Sequence, residues 1–160
     1  MKKNKPDLKL MIELVPESSF YNNVRDVVSV KQWEVFKKES RQKSAEKCAI
    51  CGATGRLNCH EIWDYDDTNN IQKLVGFTSL CTNCHNVKHI GFAKMQADEG
   101  RFDFNIVIDH FCKTNNCSKE TYQEHHKEAF AEWRKRSKHD WKIDLGDYSE
   151  LIQSNLKAKK

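Results

Sequence analysis

Apolar positions along this chain fall into blocks whose spacing changes from one to the next. Residues 1–28 begin polar and basic, carry a short apolar run from Leu10 to Val15 and stop at Pro16, which reads as an arm packed on the rest of the domain. From Ser29 the period becomes helical. Val30, Trp33 and Phe36 recur three residues apart and the Ser29 hydroxyl suits an N-cap, so a helix is predicted there, fading into the polar stretch Lys37 to Lys47. Leu57 to Tyr65 and Gln72 to Leu80 read as two strands joined by the polar turn Asp66-Asp67-Thr68-Asn69-Asn70. A short helix follows from His85 to about Ala97. Residues 102–115, rich in Phe, Ile and Val, predict a buried helix. Ser118 caps a long helix to about Lys138, with Tyr122, Ala129, Phe130 and Trp133 along one face. The expected fold class is α+β in one compact unit: an arm and helix over 1–47, a small core over 48–97 and a helical extension over 98–160.

Composition sharpens this outline. Hydrophobic residues are 38% of the 160 and charged residues 31%, more polar than an average globular domain. The core is therefore thin, and an internal staple would help it fold. The net charge is only +4, but the bases cluster at Lys2, Lys3, Lys5 and Lys9, at Arg134, Lys135, Arg136 and Lys138, and at Lys157, Lys159 and Lys160. Such runs suit phosphate contacts and equally suit solvated helix faces. No apolar stretch is long enough to span a bilayer. Asp7, Lys9 and Glu13 interrupt the start, unlike a secretory signal. A cytoplasmic protein with no membrane partner is expected. Seven cysteines in a reducing compartment point to metal rather than disulfides.

Cys48-x-x-Cys51 and Cys81-x-x-Cys84 are two matching knuckles. Two residues between cysteines let both sulfurs reach one ion, and two knuckles complete a tetrahedron of four thiolates, a closed structural zinc site. The hairpin fills the long gap between them. Cys112 and Cys117 have a different spacing and read as ordinary thiols. His85 and His89 lie four residues apart, so on a helix both imidazoles grip one ion. Zinc in the knuckles already has four ligands, so this is a second metal with open positions, as catalysis needs. His60 lies in the hairpin that must fold back over them.

The run Cys48-x-x-Cys51, Cys59-His60-Glu61-Ile62-Trp63, Leu80-Cys81-x-x-Cys84-His85-x-x-x-His89 resembles the HNH endonuclease motif, in its zinc-knuckle form. The stretch Cys59 to Gly91 is similar to bacterial and phage HNH proteins with a CHE-W-YDD signature. The similarity extends to Glu13-Leu14-Val15-Pro16, Asn23-Val24-Arg25 and the tail from Ala129 to Leu145. The resemblance implies a ββα-metal core stapled by zinc and flanked by helices. It makes His60 the general base that takes a proton from the attacking water, and His85 and His89 ligands of one catalytic divalent ion. The residue before the base is usually Asp or His and helps hold that ion. Here it is Cys59, and a thiolate with two imidazoles favours zinc, nickel or another transition ion such as manganese over magnesium. Adjacent strand residues face opposite sides, so Cys59 and His60 converge only if the strand is broken. Glu61 is then a substitute ligand or a partner of the ligands. Gly76 stands where the motif has its middle Asn.

The expected function is a metal-dependent endonuclease hydrolysing DNA, with Arg56, Lys73 and Lys88 as candidate phosphate contacts. The alternative is a non-catalytic zinc module binding DNA or RNA, which does not need His60. A protein-binding zinc module, with Trp63, Tyr65 and Trp141 as anchors, ranks third.

Overall fold

A computed structural model describes residues 6–19 and 24–152 of the chain. The terminal lysine runs at 2–5 and 157–160, together with Asn23, lie outside the described residues. The arm leads through a short 3-10 turn at Glu17–Ser19 to α1 (Val24–Val27) and α2 (Val30–Lys43). The hairpin β1 (Leu57–Asp66) and β2 (Ile71–Cys81) follows, then α3 (Thr82–Lys88), α4 (Ile90–Asp98), α5 (Asn105–Asn115), α6 (Lys119–Arg136) and β3 (Lys142–Asp144). The chain is α+β, with a three-stranded sheet in the order β1-β2-β3.

Ser29 and Ser118 both act as N-caps, their hydroxyls accepting from the Gln32 and Thr121 amides at 3.0 and 3.2 Å. Where the polar pattern predicts α2 to fade after Phe36, the helix continues to Lys43. Lys, Glu, Arg and Gln are good helix formers, and no Gly or Pro interrupts them. The predicted single helix from His85 is two. It starts earlier, at Thr82, because the Cys81 sulfur accepts from the Cys84 amide at 3.4 Å as an N-cap does. It breaks at His89 (φ −101°, ψ 50°) before resuming as α4. β3 pairs parallel to β2 through Ile71↔Lys142 and Gln72↔Ile143, a pairing that hydropathy does not announce in so short a segment.

The sheet separates two apolar clusters. On one face Leu10 and Ile12 of the arm, Leu80, Cys84, Val87 and Ile90 pack with Val107, Phe111 and Tyr122 of α5 and α6. On the other, Val24, Val28, Phe36, Leu74 and Ile152 pack with Trp33, Trp63, Phe77 and Cys59. The antiparallel register of β1 and β2 slips by one residue beside Ile62 and Trp63, where Ile62 faces Gly76 but Trp63 faces Leu74. The bulge turns Leu74 and Gln72 to the face of Trp63 and Tyr65. It leaves His60, opposite Thr78, on the face of α3.

The arm is fastened at several points. Asn115 bonds both the Leu10 amide (2.9 Å) and its carbonyl (2.8 Å). His125 accepts from the Ile12 amide at 2.9 Å, and Trp133 donates to the Val15 carbonyl at 2.9 Å. α5 and α6 thus hold the arm, whose Glu13 amide bonds the carbonyl of Lys88 at the end of α3.

Candidate metal centres

The two knuckles meet. The sulfurs of Cys48, Cys51, Cys81 and Cys84 all lie within 4.8 Å of one another, and Cys51 and Cys81 are 3.6 Å apart. Four thiolates around zinc, at about 2.3 Å each, stand about 3.8 Å apart, so the set fits a tetrahedral ion. Each knuckle is shaped by its backbone. Gly52 takes φ +77°, which a side chain would resist, and its amide bonds the Cys48 carbonyl at 2.9 Å. Burial works against the Cys48 thiolate, but the amides of Cys51, Cys81 and Ile50 hold its pKa down to about 7. Burial, opposed by the Cys84 amide and reinforced by neighbouring sulfurs, pushes Cys81 up to about 11. Burial and the charge of its neighbours push Cys84 higher still. Four crowded sulfurs of one sign are a site for a cation. His110 of α5 adds a contact that the spacing does not reveal: its Nε2 lies 3.1 Å from the Cys84 sulfur, a position from which an Nε2–H donates to a metal-bound thiolate.

The second cluster is histidine alone. One ring nitrogen each from His60, His85 and His89 lies within a 4.8 Å group. The ring centres of His60 and His89 are 4.9 Å apart, those of His85 and His89 4.6 Å. β1 supplies the first, α3 the second and the break between α3 and α4 the third. Two imidazoles of the group can hold a transition ion with positions left for substrate and water, and the third stands beside it. The cluster opens on a cleft of about 480 Å³, also lined by Glu13, Trp33, Trp63 and Tyr65.

Burial first, and then charge on His60, lowers His85 to about 4. Burial, His60 and His85 lower His89 to about 3. Both are neutral at pH 7, as ligands must be. With no ion bound, unfolded histidines near 6.5 take up protons that the folded ones refuse. Stability is therefore full above that pH and falls as pH drops towards 4. Urea midpoints of protein lacking the histidine-site ion should be lower at pH 5 than at pH 7.5. Equal midpoints would contradict the burial of these rings.

Several expected roles change. Cys59 does not join the histidines: its sulfur lies 3.8 Å from Ser40 Oγ and packs with the α2 face of the sheet. The strand stays regular at this point, so neighbours 59 and 60 point to opposite faces. Glu61 shares the Cys59 face, where it accepts from the Val24 amide (3.0 Å) and the Trp63 indole (3.1 Å) rather than from a histidine. Lys88 is only 7% exposed and its ammonium lies 2.7 Å from Oε1 of Glu13, whose side chain is half-exposed, so the structure commits it to an ion pair rather than to a phosphate. Arg136 leaves the basic run in the same way, bound to Asp67 at 2.8 and 2.9 Å and lying 4.3 Å over Tyr65. Arg56 and Lys73 are exposed. Trp141 is buried and Trp63 packs in the second cluster, so neither stands out as an interface anchor.

The residue that the sequence passes over is Glu13. Its Oε2 lies 3.0 Å from His60 Nε2. Burial alone would raise its pKa, but the His60 hydrogen bond and the Lys88 ammonium hold it down to about 2. Its signals are a lone acid inside the apolar run Leu10 to Val15 and its place in the stretch Glu13-Leu14-Val15-Pro16, neither of which assigns it to the histidines.

No family model, curated protein or solved structure matches the chain. Among the described residues no helix is long and apolar enough to cross a membrane.

Proposed function

We propose that this protein is a metal-dependent endonuclease of the HNH kind that hydrolyses phosphodiester bonds in DNA. The observation that carries the reading is the convergence of His60, His85 and His89 beside a cleft, next to a four-cysteine cluster that is complete without them. A zinc module that merely binds nucleic acid has no use for a second group of three imidazoles.

The residues divide the work. The four cysteines hold zinc, which fixes the end of β2 and the start of α3. His85 and His89 hold the second ion. When bound, a divalent ion there supplies positive charge to the phosphate oxygens and the leaving oxygen. His60 takes a proton from water as the water oxygen bonds to phosphorus. The bond from phosphorus to one sugar oxygen breaks, and that oxygen leaves with a proton drawn from solvent. Glu13 engages His60 Nε2, which leaves Nδ1, without a hydrogen-bond partner among the described residues, as the nitrogen to take the proton. Exposed Arg56 and Lys73, with Lys135 and Lys138 of the basic run, are candidate phosphate contacts. An all-imidazole donor set favours nickel, zinc or manganese over magnesium.

Incubation with supercoiled plasmid and each of these four ions tests the reading. Nicking with the transition metals, abolished by chelator and weakest with magnesium, is the expected result. A protein carrying both ions that leaves plasmid intact with every metal would be a binding module instead.

A further inference from the structure

The arm and the C-terminal helices lie outside the knuckle-and-hairpin segment, yet Glu13, on the arm, enters the histidine cluster. Its two carboxylate oxygens are divided: Oε2 is 3.0 Å from His60 Nε2 and Oε1 is 2.7 Å from Lys88 Nζ. An ionised carboxylate only accepts, so the proton between Glu13 and His60 belongs to Nε2. An imidazole with a single N–H, on Nε2, carries its lone pair on Nδ1. Nδ1 is buried and bonded to nothing among the described residues. His60 itself is 5% exposed, so few other groups can correct its tautomer or its tilt.

We infer that Glu13 is a positioning residue for the histidine site, fixing His60 as the Nε2–H tautomer so that Nδ1 keeps a free lone pair for the chemistry. The inference rests on the nuclease reading for what Nδ1 does, but not for which nitrogen bears the proton. Lys88 steers the carboxylate by holding its other oxygen. The Glu13 amide donates to the Lys88 carbonyl at 3.1 Å, so the arm grips the same residue through backbone and side chain. The bonds from Asn115, His125 and Trp133 to Leu10, Ile12 and Val15 hold the arm on both sides of Glu13. This gives α5 and α6 a purpose beyond bulk: they seat the segment that completes the site.

Two-bond proton–nitrogen NMR spectra of 15N-histidine protein, with the four-cysteine ion bound and the histidine site empty, read the tautomer without any activity. Wild-type His60 should give the Nε2–H pattern. An Nδ1–H pattern in the wild type would overturn the inference whether or not the protein cuts DNA. Glu13→Gln, which keeps the shape but loses the charge, should give a mixed tautomer. Its kcat should fall about 10- to 100-fold while KM stays within about twofold. Glu13→Asp should recover part of kcat if its carboxylate reaches Nε2. A Glu13→Gln protein that melts as wild type does, keeps a pure Nε2–H His60 and cuts at the wild-type rate would equally overturn it. If wild type and variants all fail to cut while the tautomers behave as stated, the nuclease reading fails and the positioning role of Glu13 stands.

Discussion

Cys84→Ser protein should fail to fold. Cys84 is fully buried, lies in the first turn of α3 and belongs to the apolar cluster that joins the arm, β2, α3 and α5. Replacing its sulfur with a hydroxyl removes one of the four candidate ligands and the sulfur partner of His110. Zinc binding in small domains supplies on the order of 10 kcal/mol of folding free energy, whereas a whole domain is stable by roughly 5–15 kcal/mol. A chain as polar as this has little apolar burial to offset such a loss. Circular dichroism and thermal melts should show no cooperative transition for Cys84→Ser, nor for wild type held with a strong chelator. Because α3 also carries His85, the second centre should vanish with the first. A variant that melts near the wild-type temperature with no bound zinc would show that the four cysteines are packing residues only.

His89→Ala should have the opposite profile, an intact fold without chemistry. His89 sits at the break between α3 and α4, half-buried, with its amide bonded to the His85 carbonyl at 3.0 Å, so truncation removes a ring and no backbone bond. The four-cysteine ion and the melting temperature should be close to wild type. Plasmid nicking should fall about a thousandfold or more, since charge stabilisation by a catalytic ion is worth several kcal/mol and each 1.36 kcal/mol is about a factor of ten. His60→Ala should lose about 10²- to 10⁴-fold, the usual contribution of a general base, yet retain the second ion. If His60→Ala also loses that ion, His60 is a ligand and the base lies elsewhere.

Much of this arrangement is legible before folding because it is local. The two knuckles, the Ser29 and Ser118 caps and the alternating hairpin are short-range patterns, and each forms within a residue or two of its expected place. Strand alternation also warns that Cys59 and His60 diverge, and the structure separates them. What the sequence conceals is long-range or compensated. Glu13 meets His60 across 47 positions, and no spacing rule relates them. Lys88 resembles a surface lysine on the metal helix until Glu13 neutralises it, which is the condition for burying an ammonium. Arg136 belongs to a basic run in the sequence and to Asp67 and Tyr65 in the fold. The break at His89 interrupts a helical pattern that gives no sign of it.

Metal stoichiometry by native mass spectrometry tests most directly whether a closed cysteine centre frames a separate open histidine centre. Wild type loaded with zinc should hold two ions per chain, and the double variant His85→Ala with His89→Ala should hold one. The single remaining ion should resist a mild chelator that removes the other from wild type. One ion in both proteins, or the same chelator resistance for both ions of the wild type, would contradict the two-centre arrangement and the catalytic role built on it.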